Sequence, residues 1–187
     1  KYEIRLASNS PRRRELLAGL DIDYRVTALP EVDESYPDTL SGEEIPLYIS
    51  QEKAAAYRRF MKDNTLLITA DTIVWLDGKV YGKPHDIADA KAMLQALSGK
   101  THTVITGVTL TSLQKQISFA VSTEVTFAAL GDDEIDYYVE TYRPLDKAGA
   151  YGVQEWIGYI GVTGLKGSYY NVMGLPIQRL YTELKKF

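Results

Sequence analysis

The sequence predicts an α/β domain in which a mixed β-sheet is flanked by helices and creased into two lobes with a cleft between them. Three observations carry that expectation. The chain opens with a strand–loop–helix unit, a long apolar run at 66–76 reads as a strand covered on both faces, and β-hairpin signals alternate with helical ones. No repeats, low-complexity linker or break in composition divide the 187 residues, so residues 1–187 are read as one domain.

Residues 2–7 (YEIRLA) form the first strand. Ser10 then supplies an N-cap and Pro11 a first helical residue with φ already set, and the helix runs to about Gly19 with Leu16, Leu17 and Leu20 toward the core. A second strand near 24–28 leads into the acidic stretch EVDE, 31–34. A long helix follows at about 43–62, with Ile45, Ile49, Ala56 and Phe60 at helical spacing and Lys53 on the same stripe.

Asp77-Gly78 reads as a hairpin turn from the 66–76 strand into KVYGKP. Asp86 caps a helix at 87–98 that ends before Gly99, with Ala90, Leu94 and Leu97 on its apolar face. Two β segments at 102–112 and 117–129 precede a helix at 132–142 that Pro144 stops. Beyond the Gly- and Ala-rich loop RPLDKAGAYGVQ, the stretch WIGYIGVTGL reads as strand-like, and a final helix starts at about Pro176.

Composition narrows the chemistry. The chain has no cysteine, which excludes a disulfide framework, a thiolate zinc site and a thiol nucleophile, and it fits a reducing compartment. No run approaches the ~18 apolar residues of a membrane span and the first residues contain no signal-peptide core, so the expectation is a cytoplasmic protein with no membrane partner. The net charge of −4 argues against a broad nucleic-acid face while leaving room for a local anion pocket.

Such a pocket is suggested at once by Arg12, Arg13 and Arg14. A helix start gathers unpaired N–H groups and the positive end of the dipole, so three cations there are unfavourable unless they are solvated, pair with Glu15 and the EVDE carboxylates, or bind an anion. Ser8 and Ser10 place two hydroxyls beside the arginines, whose planar forks suit phosphate oxygens. Lys53 and Lys83 are either snorkelling lysines or further cations of the same pocket, with Lys83 directed by Gly82 and Pro84.

Asp71 is a lone carboxylate inside an apolar strand. It is either satisfied locally, for instance by Thr72, or serves as a proton acceptor or metal ligand. Glu34, if it converges with Asp71, adds a second hard oxygen suited to Mg²⁺ or Mn²⁺. His85 and His102 have no ligand pattern, and neither a P-loop nor a G-x-S-x-G elbow occurs. What these residues suit is water attacking a phosphate bound beside a divalent cation.

The chain resembles the Maf-type nucleoside triphosphate pyrophosphatases. The resemblance rests on LASNSPRRRELL, EVDE, QEKA, ADTIV, GKPHDIADAKAMLQALSGKTHTVITGV, LDKAGAYGVQ and GSYYNVMGLP, seven collinear blocks spanning nearly the whole chain. It implies a Maf/ITPase-like fold and hydrolysis of a nucleoside triphosphate between its α and β phosphates, with a divalent cation. By the resemblance Asp71 is the proton acceptor, Arg12, Thr72 and Gln154 choose the base, and Ser8, Arg13, Glu34, Lys53 and Lys83 form the phosphate and metal pocket. The residues leave open whether Asp71 acts chiefly as base or as metal ligand.

LDKAGAYGVQ resembles the branch acting on dTTP and UTP, because a glutamine amide complements the N3–H and a carbonyl of thymine or uracil. The neighbouring alternatives are the branch acting on 7-methyl-GTP and a non-catalytic septum-formation inhibitor or regulator. The resemblance also implies a homodimer. Glu155 and Trp156 depart from the pattern, which has a small residue after GVQ; pointing into the pocket, they would alter the base preference.

Overall fold

The computed structural model describes all residues, Lys1–Phe187. Seven strands form one sheet: β1 (Glu3–Ala7), β2 (Arg25–Thr27), β3 (Thr65–Leu76), β4 (Lys79–Tyr81), β5 (Thr101–Thr111), β6 (Gln116–Phe127) and β7 (Val162–Lys166). Their order is β2-β1-β3-β5-β6-β7, with β4 paired to β3. Parallel pairs β1/β2 and β1/β3 stand with antiparallel β3/β4 and β6/β7, so the sheet is mixed as expected. The helices are α1 (Pro11–Ala18), α2 (Glu44–Tyr57), α3 (Ile87–Leu97), α4 (Asp132–Tyr142), α5 (Trp156–Gly161), α6 (Tyr169–Met173) and α7 (Ile177–Lys186). None is long and apolar enough to cross a membrane.

The chain divides into two compact units. One comprises Lys1–Thr72, Thr106–Val121 and Gly174–Phe187, the other Ile73–Ile105 and Ser122–Met173.

In the first unit, Leu6, Leu17, Ile45, Ile49, Leu67 and Ile68 are buried, in keeping with the apolar faces of their elements. Gly107 lets α2 lie directly on β5: a Cβ there would stand 2.5 Å from the Pro46 carbonyl carbon. Under this helix the hydroxyls satisfy one another, with Ser50 Oγ 2.7 Å from Thr109 Oγ1 and Thr69 Oγ1 donating to the Ser50 carbonyl at 2.7 Å. α2 buries Ile45, Pro46, Ile49, Ser50, Lys53, Ala54 and Tyr57. The expected continuation to Phe60 fails, because α2 tightens into a 3₁₀ turn at Arg58–Phe60 and leaves Phe60 53% exposed.

In the second unit the turn between β3 and β4 has Asp77 and Gly78 both at positive φ (52° and 76°), as a two-residue hairpin demands. Asp86 caps α3 by accepting the Asp89 N–H at 2.8 Å, and Ala90, Leu94 and Leu97 are fully buried. These join Val125, Phe127, Ile135, Val139 and Ile157 in one core. The strand-like reading of WIGYIGVTGL holds only from Val162 onward. Residues 156–161 form α5, which starts where the Gly158 N–H closes on the Glu155 carbonyl at 2.9 Å; six residues are too few for a helical period to show.

His102 is buried in this core against Phe127 and Tyr151, with Nε2 2.6 Å from the Tyr151 hydroxyl. Burial holds its pKa down from 6.5 to about 4. The unfolded chain takes up that proton below its ordinary pKa, so the stability His102 contributes is complete above about pH 6.5 and is lost as pH falls toward 4, by about 3 kcal/mol. Urea midpoints between about pH 7.5 and 4.5 should fall less in His102→Gln, which does not titrate, than in the wild type.

Candidate active site

The first unit gathers most of the charged residues singled out above. Lys53 rides on the buried face of α2 and Asp71 sits in β3, and the two are only 6% and 7% exposed. Lys53 Nζ donates to the Ala70 carbonyl at 2.9 Å and stands 3.4 Å from Asp71 Oδ1. Asp71 Oδ2 is buried and has no hydrogen-bond partner. An oxygen left so costs a few kcal/mol unless a ligand, proton or cation meets it.

Burial raises the Asp71 carboxyl above its ordinary range, and Glu34 adds to the rise, while Lys53 and Arg13 pull it back. Burial likewise lowers the Lys53 ammonium, with Asp71 opposing. Arg13, Lys53, Glu34 and Asp71 therefore lie within electrostatic reach of one another.

The arginines turn out to have separate duties. Arg14 folds back so that Nε and a terminal nitrogen donate to the Ser8 carbonyl at 3.3 and 3.0 Å. Arg13 donates from Nε to the Gly174 carbonyl at 2.8 Å and from its fork to Thr72 Oγ1 at 2.9 Å. None of these four bonds goes to Glu15 or EVDE, the acidic partners that the sequence offered. Thr72 in turn lies 2.8 Å from Thr106 Oγ1, so its hydroxyl braces Arg13 and does not bond Asp71.

Ser10 caps α1, accepting the Arg13 N–H at 3.3 Å, and Ser8 Oγ accepts the Ser10 N–H at 3.0 Å. With both oxygens accepting, the two hydroxyl protons stay available to an anion. Arg12 is the second residue of α1, alongside them, and is half-buried. Glu34 is exposed in the coil after β2, where Asp33 closes a local turn by accepting the Ser35 N–H at 2.9 Å.

Lys83 and Gln154 belong to the second unit, where both are exposed. The Gly149 N–H donates to the Gly82 carbonyl at 3.1 Å, tying the loop that leads to Gln154 to the turn before Lys83. Glu155 and Trp156 do not extend freely from that loop. Glu155 accepts from Tyr138 at 2.5 Å, and Trp156 packs edge-on against Tyr137 with centroids 4.8 Å apart.

No group of three His, Cys, Asp or Glu side chains stands together. The partnerless Asp71 oxygen, with Glu34 within electrostatic reach, still fits a hard cation that binds through one or two carboxylates and completes its shell with water and phosphate oxygens.

The model of the Maf-like protein family matches residues 3–187. The chain belongs to the Maf family. This Maf chain is 68% identical over 186 residues to a protein of Phocaeicola vulgatus named dTTP/UTP pyrophosphatase, covering 100% of this chain and 96% of the relative. A protein of the same name from Bacteroides thetaiotaomicron is 64% identical with the same coverage. Among solved structures, the Ham1 protein of Staphylococcus aureus shares the fold at a TM-score of 0.58 and 20% identity, over 98% of each chain. A HAM1 protein from Coxiella burnetii follows at 0.53 and 17%, over the full length of both chains.

Proposed function

We propose that this Maf chain hydrolyses dTTP and UTP between the α and β phosphates, releasing the nucleoside monophosphate and pyrophosphate. The observation that carries the substrate is the full-length similarity to relatives named dTTP/UTP pyrophosphatase. The buried Lys53–Asp71 pair, with one carboxylate oxygen that has no hydrogen-bond partner in the chain, supports the chemistry.

In this reading Asp71 accepts a proton from the attacking water as the water oxygen bonds to the α phosphorus. The bond from that phosphorus to the bridging oxygen breaks, and pyrophosphate leaves with the electron pair. Arg13, Lys53 and Lys83 oppose the charge that grows on the leaving group, and the Ser8 and Ser10 hydroxyls donate to phosphate oxygens. Arg12, Thr72 and Gln154 select the base, the last through the donor–acceptor pair of its amide. Glu34 would hold Mg²⁺ or Mn²⁺, joined by Asp71 in the alternative in which that carboxylate acts chiefly as a ligand; the cation, when bound, neutralises phosphate charge and makes water more acidic.

Pyrophosphate release from a nucleotide panel in Mg²⁺ or Mn²⁺ tests the reading. dTTP and UTP should lead, and chelation of the metal should stop turnover. A preference for 7-methyl-GTP would overturn the substrate assignment.

A further inference from the structure

The departure at Glu155 and Trp156 has a structural explanation within the second unit. Tyr138 of α4 is fully buried, its ring stacked on Tyr142 with centroids 5.1 Å apart. Its hydroxyl donates to Glu155 Oε1 at 2.5 Å and accepts the Gly152 N–H at 3.0 Å. Glu155 also closes a turn, its own N–H donating to the Gly152 carbonyl at 3.0 Å, and its second carboxylate oxygen faces Lys147 Nζ at 3.9 Å. One phenol therefore grips both ends of the segment 152–155.

Within that segment Val153 is buried and Gln154 alone is exposed. Burial and the adjacent carboxylate hold the Tyr138 hydroxyl protonated well above the ordinary range of a phenol, so it stays a donor at any working pH. A charge-assisted bond at this distance is among the stronger polar contacts available to a loop. A glutamine has several rotatable bonds, and its amide discriminates between bases only if the backbone beneath it is fixed.

We propose that Tyr138 and Glu155 are positioning residues for base selection, locking the 152–155 turn so that the Gln154 amide is presented in one orientation. The inference rests on the reading of Gln154 as the residue that selects the base. Glu155 thus does in this chain, from behind the loop, what a small residue at that place would leave undone.

The test compares kcat/KM for dTTP with that for dCTP, whose base reverses the donor–acceptor order, and records a melting curve for each variant. Glu155→Ala should lower the dTTP-to-dCTP ratio by about tenfold, chiefly through a higher KM for dTTP, and Tyr138→Phe should move it the same way. Glu155→Gln, whose amide oxygen still accepts from Tyr138, should keep most of the ratio. In a Gln154→Ala background, Glu155→Ala should lower the ratio no further.

A wild-type ratio in Glu155→Ala and Tyr138→Phe alongside a lost ratio in Gln154→Ala would overturn the clamp and leave the role of Gln154 standing. Equal loss on both nucleotides would overturn it too, since that is what a purely structural contact produces. A wild-type ratio in Gln154→Ala would overturn both readings. Should Glu155→Ala fail to fold, Tyr138→Phe carries the comparison.

Discussion

Asp71→Asn is expected to lower kcat for dTTP by about 10²–10⁴-fold while the protein stays folded, the range typical for loss of a general base. The substitution is nearly isosteric. Its amide oxygen can still receive Lys53 Nζ, which now stands 3.4 Å from Oδ1, so the partner on α2 is not orphaned. What disappears is the oxygen with no partner: an NH₂ group in place of Oδ2 neither accepts a proton nor ligates a cation. Pyrophosphate release together with a melting curve separates chemistry from folding, and a retained rate would end the role given to Asp71.

The pH profile adds a sign. Burial raises the Asp71 carboxyl above 3.8, and a base works only when deprotonated, so kcat/KM should fall on the acid side at a pH above the ordinary carboxylate range.

The buried pair of the candidate site was legible because each member violates the pattern around it. Lys53 interrupts an apolar helical stripe, and Asp71 interrupts an apolar strand; both violations survive in the structure as buried charges that face each other. The duties of the arginines were not legible. Arg13 is fixed by a carbonyl 161 residues away and by Thr72 of β3, contacts that only tertiary structure creates.

Short elements escaped for a different reason. α5 and α6 have six and five residues, less than two turns, so neither displays a period, and the β-branched and aromatic residues of WIGYIG favour a strand when read locally. The partner of Glu155 was equally out of reach, since Tyr138 lies on a helix 17 positions back and is marked in the sequence only by its place on an amphipathic face.

Lys53→Met tests the electrostatic half of the pair, and here stability and activity should move together. Methionine replaces the aliphatic stem but leaves Asp71 buried without its ammonium, a loss typical of a broken buried ion pair, about 3–5 kcal/mol. Lys53 holds the Asp71 pKa down, so its removal lets burial raise that pKa further. The folded variant then keeps a proton that the unfolded chain releases near its ordinary pKa, and by linkage its stability declines as pH rises through the new value.

The destabilisation is therefore largest in alkaline buffer and shrinks on acidification, which urea midpoints across pH will show. For activity, the acid limb of kcat/KM should shift to higher pH relative to the wild type. The terminal phosphate of the substrate also titrates, at about pH 6, but identically for both proteins, so the displacement between the two profiles isolates the enzyme group. Coincident profiles would mean that the carboxylate next to Lys53 is not the group whose ionisation governs the rate.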